Sequence, residues 1–565
     1  MNLYSILRIS IIGLFIFVLG KSVNAQHDAH RGAVREIARG EYDLAEERIK
    51  KIIEDPSAIW HGRTTGAYER AGRAVKSEGA EYKRFVIPEN YFVMAMLASM
   101  KGDADVALKH AKDAVKEGLP FERLLAGPRD AFATLHQSRA FQEWAEKESK
   151  LLIHGPMLGN VSSDSASFWV RTAKEAEVRV SVRHKGYSKL KDNLSAESRT
   201  TAGSDYTTVV RIDGLRANTT YNYSLELDGK NKFVENAAFK TYPERGAPGK
   251  FSIAFGGGAG YVPEHERIWT TIKKKNPLAL LMLGDNVYID DPKHLITNRY
   301  CYYRRHSRPE WKELIAGRGV YSIWDDHDFG MDDSYGGPEI EKPSWKRPMW
   351  EVFTENWNNP AYGGGIEQPG TWYDFYIGDV HFIMLDCRYY RESSGRHAPR
   401  VDNPSMLGPV QLEWLKKTLK ASKGTFKIIA SSVPMSPGTK GGPPGGLDTW
   451  DGYKEEREEI HQFLHENNIS GVAVISADRH RSDVRTIPRE KGYHMFEFMS
   501  SILTNYHTHT VTETPELIFG YNEDNSFGLI HFDTALDDPK LTFEIVTITS
   551  ESIWSMDLKL SELVN

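Results

Sequence analysis

Leu278-Ala-Leu-Leu-Met-Leu-Gly-Asp-Asn-Val-Tyr288 is the stretch on which the reading of this chain turns. Its uncharged apolar run predicts a strand buried on both faces, as inside a parallel sheet. The run stops at Gly284. Asp285 then stands at the carboxyl end of the strand, with Tyr288 three residues on. Ligands of open α/β sheets bind at that edge. A carboxylate there can bridge two cations, and a phenolate can ligate a hard ion such as Fe(III). A Gly-Asp pair is also an ordinary turn, so the other strand ends have to decide between the two.

Around it the grammar is strand, helix, strand. Phe251–Phe255 predicts a strand, Glu264 to Lys275 a helix, and Val320–Trp324, Val380–Leu385, Phe426–Ala430 and Val472–Ser476 further strands. Helices at Gly408–Lys420 and Lys454–Glu466 separate the last three, which makes a layered α/β domain. The tail beyond Pro488, with strand-like Leu541–Val546, is expected to complete an outer sheet.

Four of these strands end in groups that bind cations or phosphate: Asp285 and Tyr288; Asp325-Asp-His-Asp328 after Trp324; Asp386-Cys-Arg388 after Leu385; and Asp478-Arg-His480 after Ser476. Carboxylates crowded at one rim need cations between them. Hard ions take carboxylate, phenolate and imidazole, which selects Asp285, Tyr288, Asp326, Asp478 and His480. Two ions about 3.5–4 Å apart clamp a phosphate and generate hydroxide from water. His327 is placed to protonate a leaving oxygen, with Asp328 as its expected orienter. Arg388 carries the forked donors that match phosphate.

Upstream the pattern changes twice. Residues 152–245 alternate apolar and polar at Ser167–Arg171, Val178–Val182, Thr207–Ile212 and Tyr221–Leu227, and predict a small β-sandwich. Gly214–Tyr221 looks like the turn before a late strand of a fibronectin-type sandwich, whose tyrosine packs at the corner. Residues 27–150 read as helical. Gly40, Asp43 and Ala45 recur as Gly102, Asp105 and Ala107, a spacing like that of tetratricopeptide-type helix pairs. A helical cap on the next domain is the expected role, with a protein-binding groove as the alternative.

The chain has 565 residues, 40% hydrophobic and 26% charged, with a net charge of −6. That is several domains of ordinary globular composition, without a basic footprint for nucleic acid. Arg8, the apolar Ile9–Gly20 and Val23-Asn-Ala25 predict a secretory signal over residues 1–25. The expected location is therefore secreted or periplasmic, with no transmembrane helix after cleavage. Cys301 and Cys387 either pair or stay free and buried, and they rule out a Cys-rich zinc site.

Gly284-Asp-x-x-Tyr288, Trp324-Asp-Asp-His-Asp-Phe-Gly330, Leu385-Asp-x-Arg-x-Tyr-Arg391, Asp448-Thr-Trp-Asp-Gly-Tyr453 with Arg457, and Asp478-x-His480 resemble, in order, the motifs of the PhoD-like alkaline phosphatases. These belong to the calcineurin-like metallophosphoesterases and also carry a β-sandwich ahead of the catalytic domain. The resemblance spans roughly residues 152 to 550. It implies an α+β multidomain chain: a metallophosphoesterase domain at 250–550, behind a fibronectin-like sandwich and the helical repeats.

The same resemblance implies a phosphomonoesterase or phosphodiesterase with a dinuclear or polynuclear centre of iron, calcium or both; manganese or zinc remain open. Asp285 would be the bridging ligand and Tyr288 the iron ligand. There are departures. Gly258 stands where the family usually has a cysteine ligand, Asp332 stands where relatives often have Asn and is counted as a ligand, and no twin-arginine signal is present.

Other features read blandly. Gly378-Asp-Val-His381 mimics the closing motif but falls in a turn, His507-x-His509 reads as surface, and Lys440–Gly446 reads as a mobile loop. Asp451 and Tyr453 line the site or serve a helix start, and Arg304-Arg305 either attracts an anion or is solvated. The expected reaction is in-line hydrolysis of a phosphate ester, with a phospholipid or cell-wall diesterase and a catalytically weakened binding protein as alternatives.

Overall fold

The computed structural model describes residues 28–54, 80–185, 193–232, 238–443 and 445–565. The expected signal segment lies outside them. Two β-sheets stack face to face within residues 250–559. One runs Gly319–Ile323, Ala279–Leu283, Lys250–Gly256, Ser526–Asp533, Lys540–Thr547, Ser552–Lys559 across six strands. Its first three are parallel to one another and the rest antiparallel. The other runs Tyr373–Ile377, Val380–Met384, Phe426–Ala430, Val472–Ser476, Met495–Ser500, Ser482–Ile487, Leu517–Tyr521. Its Val380–Met384, Phe426–Ala430, Val472–Ser476 and Met495–Ser500 strands are parallel.

Side-chain alternation explains why the central strands are apolar throughout. Ala279, Leu281 and Leu283 face the second sheet and join one core with Ile428, Ala430 and Ile475. Leu280 and Met282 face the opposite way, into a second core with Ile268, Trp269 and Trp311 from the covering helices. The second sheet does the same, with Ile429 and Val474 packing against Leu415 and Ile460 of the helices on its far side. The result is helix, sheet, sheet, helix. Every residue of Ala279–Leu283 is fully buried, and burying each leucine contributes about 2 kcal/mol.

The strand must stop abruptly for its acid to reach the rim. Gly284 has φ +101°, and a Cβ there would meet Asp325 Cβ at 2.5 Å and its amide nitrogen at 2.7 Å. Gly284→Ala therefore combines backbone strain with overpacking and is expected to destabilise by ~2–5 kcal/mol. A large fall in Tm by calorimetry would show it, and an unchanged Tm would refute the close approach.

Residues 152–245 form two small sheets, Leu152–Gly159, Ser165–Thr172 and Thr207–Asp213 against a five-stranded partner built on Glu177–His184 and Thr220–Leu227. The Tyr221 hydroxyl accepts the Arg216 amide at 2.9 Å. Tyr223 donates to the Ala316 carbonyl at 2.7 Å, tying these sheets to the α/β layers.

The helices Ala29–Ala38 and Tyr42–Glu54 turn at Gly40, and Ala80–Met100 and Ala104–Lys116 turn at Gly102, both glycines with positive φ. Val34, Ile37, Phe92 and Met96 share one core with Tyr300 and Trp311, so these helices cover the outer helix layer. Cys301 and Cys387 are both buried and free. No helix among the described residues is long and apolar enough to cross a membrane.

Candidate metal centre

Strand ends from both sheets meet at one rim. Asp285 leaves Ala279–Leu283 in a left-handed turn, φ +50°. Asp326–Phe329 is a single helical turn after Gly319–Ile323, in which the backbone amide of His327 approaches Asp285 Oδ1 at 3.3 Å. Oxygens of Asp285 and Asp326 and a ring nitrogen of His327 lie within 4.8 Å of one another. From the second sheet, Asp478 and His480 follow Val472–Ser476, also with positive φ, +69° and +47°. His480 Nε2 reaches to 4.0 Å from Asp285 Oδ2. The Tyr288 hydroxyl sits 3.1 Å from Asp285 Oδ2 and 3.2 Å from His480 Nε2. Non-glycine residues in sparsely populated backbone regions concentrate where function demands a geometry.

The electrostatics favour cations. Asp325 Oδ2, Asp326 Oδ1 and Asp478 Oδ2 are buried without a hydrogen-bond partner, an expensive arrangement unless a cation completes it. From the protein's groups alone, burial and the acids around it push Asp285 well above the usual carboxylate range. Burial and Asp326 raise Asp325 to about 7 against the pull of Arg388. Asp478 is also raised, chiefly by burial. Asp326 also suffers burial, but His327 and Arg388 outweigh it and hold it low. A set of carboxylates, a phenol and an imidazole with unsatisfied oxygens suits hard cations.

The residues expected at the site do not all play their expected parts. Asp332 is exposed, its carboxylate 3.9 Å from His327 Nε2 at the rim. The neighbouring Asp333 is the buried one: its amide donates to Asp326 Oδ2 at 2.5 Å and its Oδ1 accepts from Lys440 at 2.9 Å. Asp328 does not orient His327. It accepts the Asp325 amide at 2.7 Å and the Asn286 side chain at 2.6 Å, and so pins two loops together. The orienter is Asp290, whose Oδ1 lies 2.5 Å from His327 Nδ1. Asp290, with Asp326 and Asp285, holds the imidazole well above its ordinary pKa despite burial.

Arg388 is fully buried, and its fork is turned on carboxylates. Nε donates to Asp325 at 2.6 Å and Nη1 to Asp448 at 2.8 Å. Arg391 and Lys440 also donate to Asp448, at 2.5 and 3.0 Å. Lys440 therefore belongs to the site, beside Arg396, which pairs with Asp333. Asp451 pairs with Arg457 at 3.2 Å. Arg304 and Arg305 are buried against Asp28 and Glu266 and attract nothing from solvent. His507 and His509, read as surface, fold back to within 4.8 Å of His480. The Gly378 turn holds no site, and His381 pairs there with Asp374 at 2.9 Å. Gly258 has φ +67°, and a Cβ there would meet the Ser501 carbonyl oxygen at 2.6 Å. That explains why this place carries no side chain.

The helix Ala29–Ala38 buttresses the site. Arg31, Arg35 and Arg39 recur every fourth residue along one face. Arg31 donates to the Tyr288 carbonyl at 2.5 Å, Arg35 Nε to the Ile289 carbonyl at 2.9 Å, and Arg39 lies 3.5 Å from Asp291. Arg35 also pairs with Asp290 at 3.2 Å, behind His327. Arg35→Ala removes a positive neighbour from Asp290 and a clamp from the Tyr288 loop. The expected result is a ~10–100-fold loss of cation affinity or activity, as for outer-shell changes generally. It should come with a shifted pH–rate profile, which a purely structural helix would not produce.

Comparison with known proteins follows the same division. Residues 253–528 match the model of the PhoD-like phosphatase family, and residues 149–244 match a domain of unknown function, DUF7800. Alkaline phosphatase D of Bacillus subtilis (strain 168) is 24% identical over 314 residues, 48% of this chain and 53% of the relative. The chain thus matches about half the length of that curated relative. A structure of PhoD superposes with a TM-score of 0.57 at 18% identity, covering 71% of this chain and 88% of the other. Purple acid phosphatase PPD1 from yellow lupin seeds superposes with a TM-score of 0.51 at 12% identity, covering 73% and 74%.

Proposed function

We propose that this chain is a metal-dependent phosphoric ester hydrolase acting outside the cytoplasm, and the premise is that residues 253–528 match the model of the PhoD-like phosphatase family. The observation that carries the reading is the cluster of Asp285, Asp326 and His327, together with buried oxygens of Asp325, Asp326 and Asp478 that no hydrogen bond satisfies. Asp285, Tyr288, Asp326, Asp478 and His480 would hold the cations, with Asp332 available at the rim. We favour iron, calcium or both over manganese or zinc. Such cations supply Lewis acidity toward the phosphate oxygens and an activated water.

The chain's own residues do the rest. Lys440 and Arg396 gather positive charge at the mouth to receive the dianion. His327, kept protonated by Asp290, faces Asp332 at the rim and donates its Nε2 proton to the departing oxygen. Arg388 and Asp448 hold Asp325 in place. The sandwich, fibronectin-like in pattern, and the tetratricopeptide-like helices serve as scaffold, the latter through the arginines behind Tyr288 and Asp290.

Chelator-treated protein resupplied with iron, calcium, manganese or zinc should recover hydrolysis of p-nitrophenyl phosphate, bis-p-nitrophenyl phosphate or both. Comparing the two at matched concentration assigns the ester class. No hydrolysis of either with any cation would leave a binding protein and overturn the proposal.

The site also predicts a pH effect. Burial raises Asp325 to about 7 and Asp328 to about 8, far above their unfolded values. The folded state then holds protons that the unfolded state has released, so these groups destabilise the chelated protein progressively as pH rises. His327, raised by its acids, acts in the same direction. His480 is lowered by burial and is neutral in both states above about pH 6.5, so it does not oppose the trend. Chelated protein should lose Tm between about pH 6.5 and 8, and the Tm gain on adding cations should grow over that window. A cation effect independent of pH would contradict this.

A further inference from the structure

His480 stands on a border between two ligand sets. On one side are Asp285 and Tyr288. On the other, residues 501–510 return across the rim and place His507 and His509 against it. Ring nitrogens of His480, His507 and His509 all lie within 4.8 Å of one another. Their ring centres are 5.4, 5.3 and 4.7 Å apart, and the interplanar angles are 81°, 78° and 82°. Three imidazoles bound to one tetrahedral ion at ~2.0–2.1 Å have ring centres roughly 5 Å apart.

The backbone prepares the donors. His480 Nδ1 lies 3.0 Å from the His507 carbonyl oxygen, so that nitrogen carries the proton and Nε2 the lone pair. Arg479 donates to His509 Nδ1 across a long 3.3 Å, so that lone pair is held loosely and is open to a stronger acceptor. Neither His507 nor His509 is needed by the hydrolytic reading.

We propose that His480, His507 and His509 form a three-imidazole site for a borderline divalent transition-metal ion of the zinc class. It adjoins the carboxylate set and draws on the same His480 Nε2 lone pair, so His480 serves one set or the other and not both at once. An all-nitrogen set selects zinc, copper, nickel or ferrous ion rather than the hard ions that oxygen ligands hold. The proposal leans on the metal-centre reading only through the shared His480, and its test is binding, not hydrolysis.

Full-length protein is stripped by chelator, equilibrated with zinc, freed of excess, and its zinc counted by plasma mass spectrometry. The His507→Ala/His509→Ala variant should retain about one zinc fewer per chain than the unaltered protein. Asp285→Asn/Asp326→Asn should keep that zinc. Equal zinc in the histidine variant and the unaltered protein would overturn the site. In case the histidine variant folds poorly, X-ray absorption on unaltered protein carrying one equivalent of zinc gives a second test. Three imidazoles at about 2.0 Å are expected, and one or none would overturn it. Hydrolysis is assayed separately, so an inactive protein that still binds zinc through imidazoles sinks the enzyme and spares this site.

Discussion

Asp285→Asn should abolish cation retention and lower phosphate-ester hydrolysis on the order of 10³-fold or more, while the chelated protein is expected to stay as stable as before or become more so. The two halves of that result come from one geometry. The carboxylate is buried at the junction of both sheets, pushed well above its ordinary range by burial and then by Asp326, Asp325 and Asp328. Asparagine keeps the shape and the acceptor for the His327 amide and removes a like charge, so the metal-free fold loses nothing. The charge that two cations would share is what disappears. Metal content, Tm with chelator and turnover are read on one preparation. Retained hydrolysis with unchanged metal content would refute the role of Asp285, whereas a collapsed Tm would mean the residue is structural.

His327→Ala should leave cations bound and slow the reaction by about 10²–10⁴-fold on esters with poor leaving groups, the usual span for a lost general acid. Esters of acidic phenols, whose oxygens need no proton to depart, should be much less affected. Asp290→Asn should give a milder version with the alkaline limb of the pH–rate profile moved to lower pH, because Asp290 both orients the ring and keeps it charged. Equal losses across all leaving groups would assign His327 to structure or metal binding instead.

How far the sequence reveals this site depends on what each inference needs. Ala279–Leu283 is readable because burial on both faces leaves no polar residue anywhere along it. The acids after it are readable because a parallel strand's carboxyl end is where a sheet can offer a side chain without interrupting its hydrogen bonds. The glycine turns at Gly40 and Gly102 follow from local chemistry alone.

Partner choice is what local reading misses. Arg388 has a fork that fits phosphate and carboxylate equally well, and only full burial beside Asp325 and Asp448 decides between them. Asp290, not the adjacent Asp328, meets His327, because a left-handed turn at Asp290 folds that loop back. His507 and His509 lie in a threonine-rich stretch whose composition says surface, yet its path returns over His480. Arg31, Arg35 and Arg39 do show a helical period, but the backbone they meet is some 250 residues further along the chain, at distances only the fold supplies.

Cations held among Asp285, Asp326, Asp478 and His480 are tested most directly by anomalous diffraction from crystals grown with iron or manganese. A difference peak within about 2.0–2.4 Å of an Asp285 carboxylate oxygen, with Asp326, Asp478 or His480 completing the shell, is the predicted result. A map with no anomalous peak among these four residues, from protein that hydrolyses phosphate esters, would contradict it.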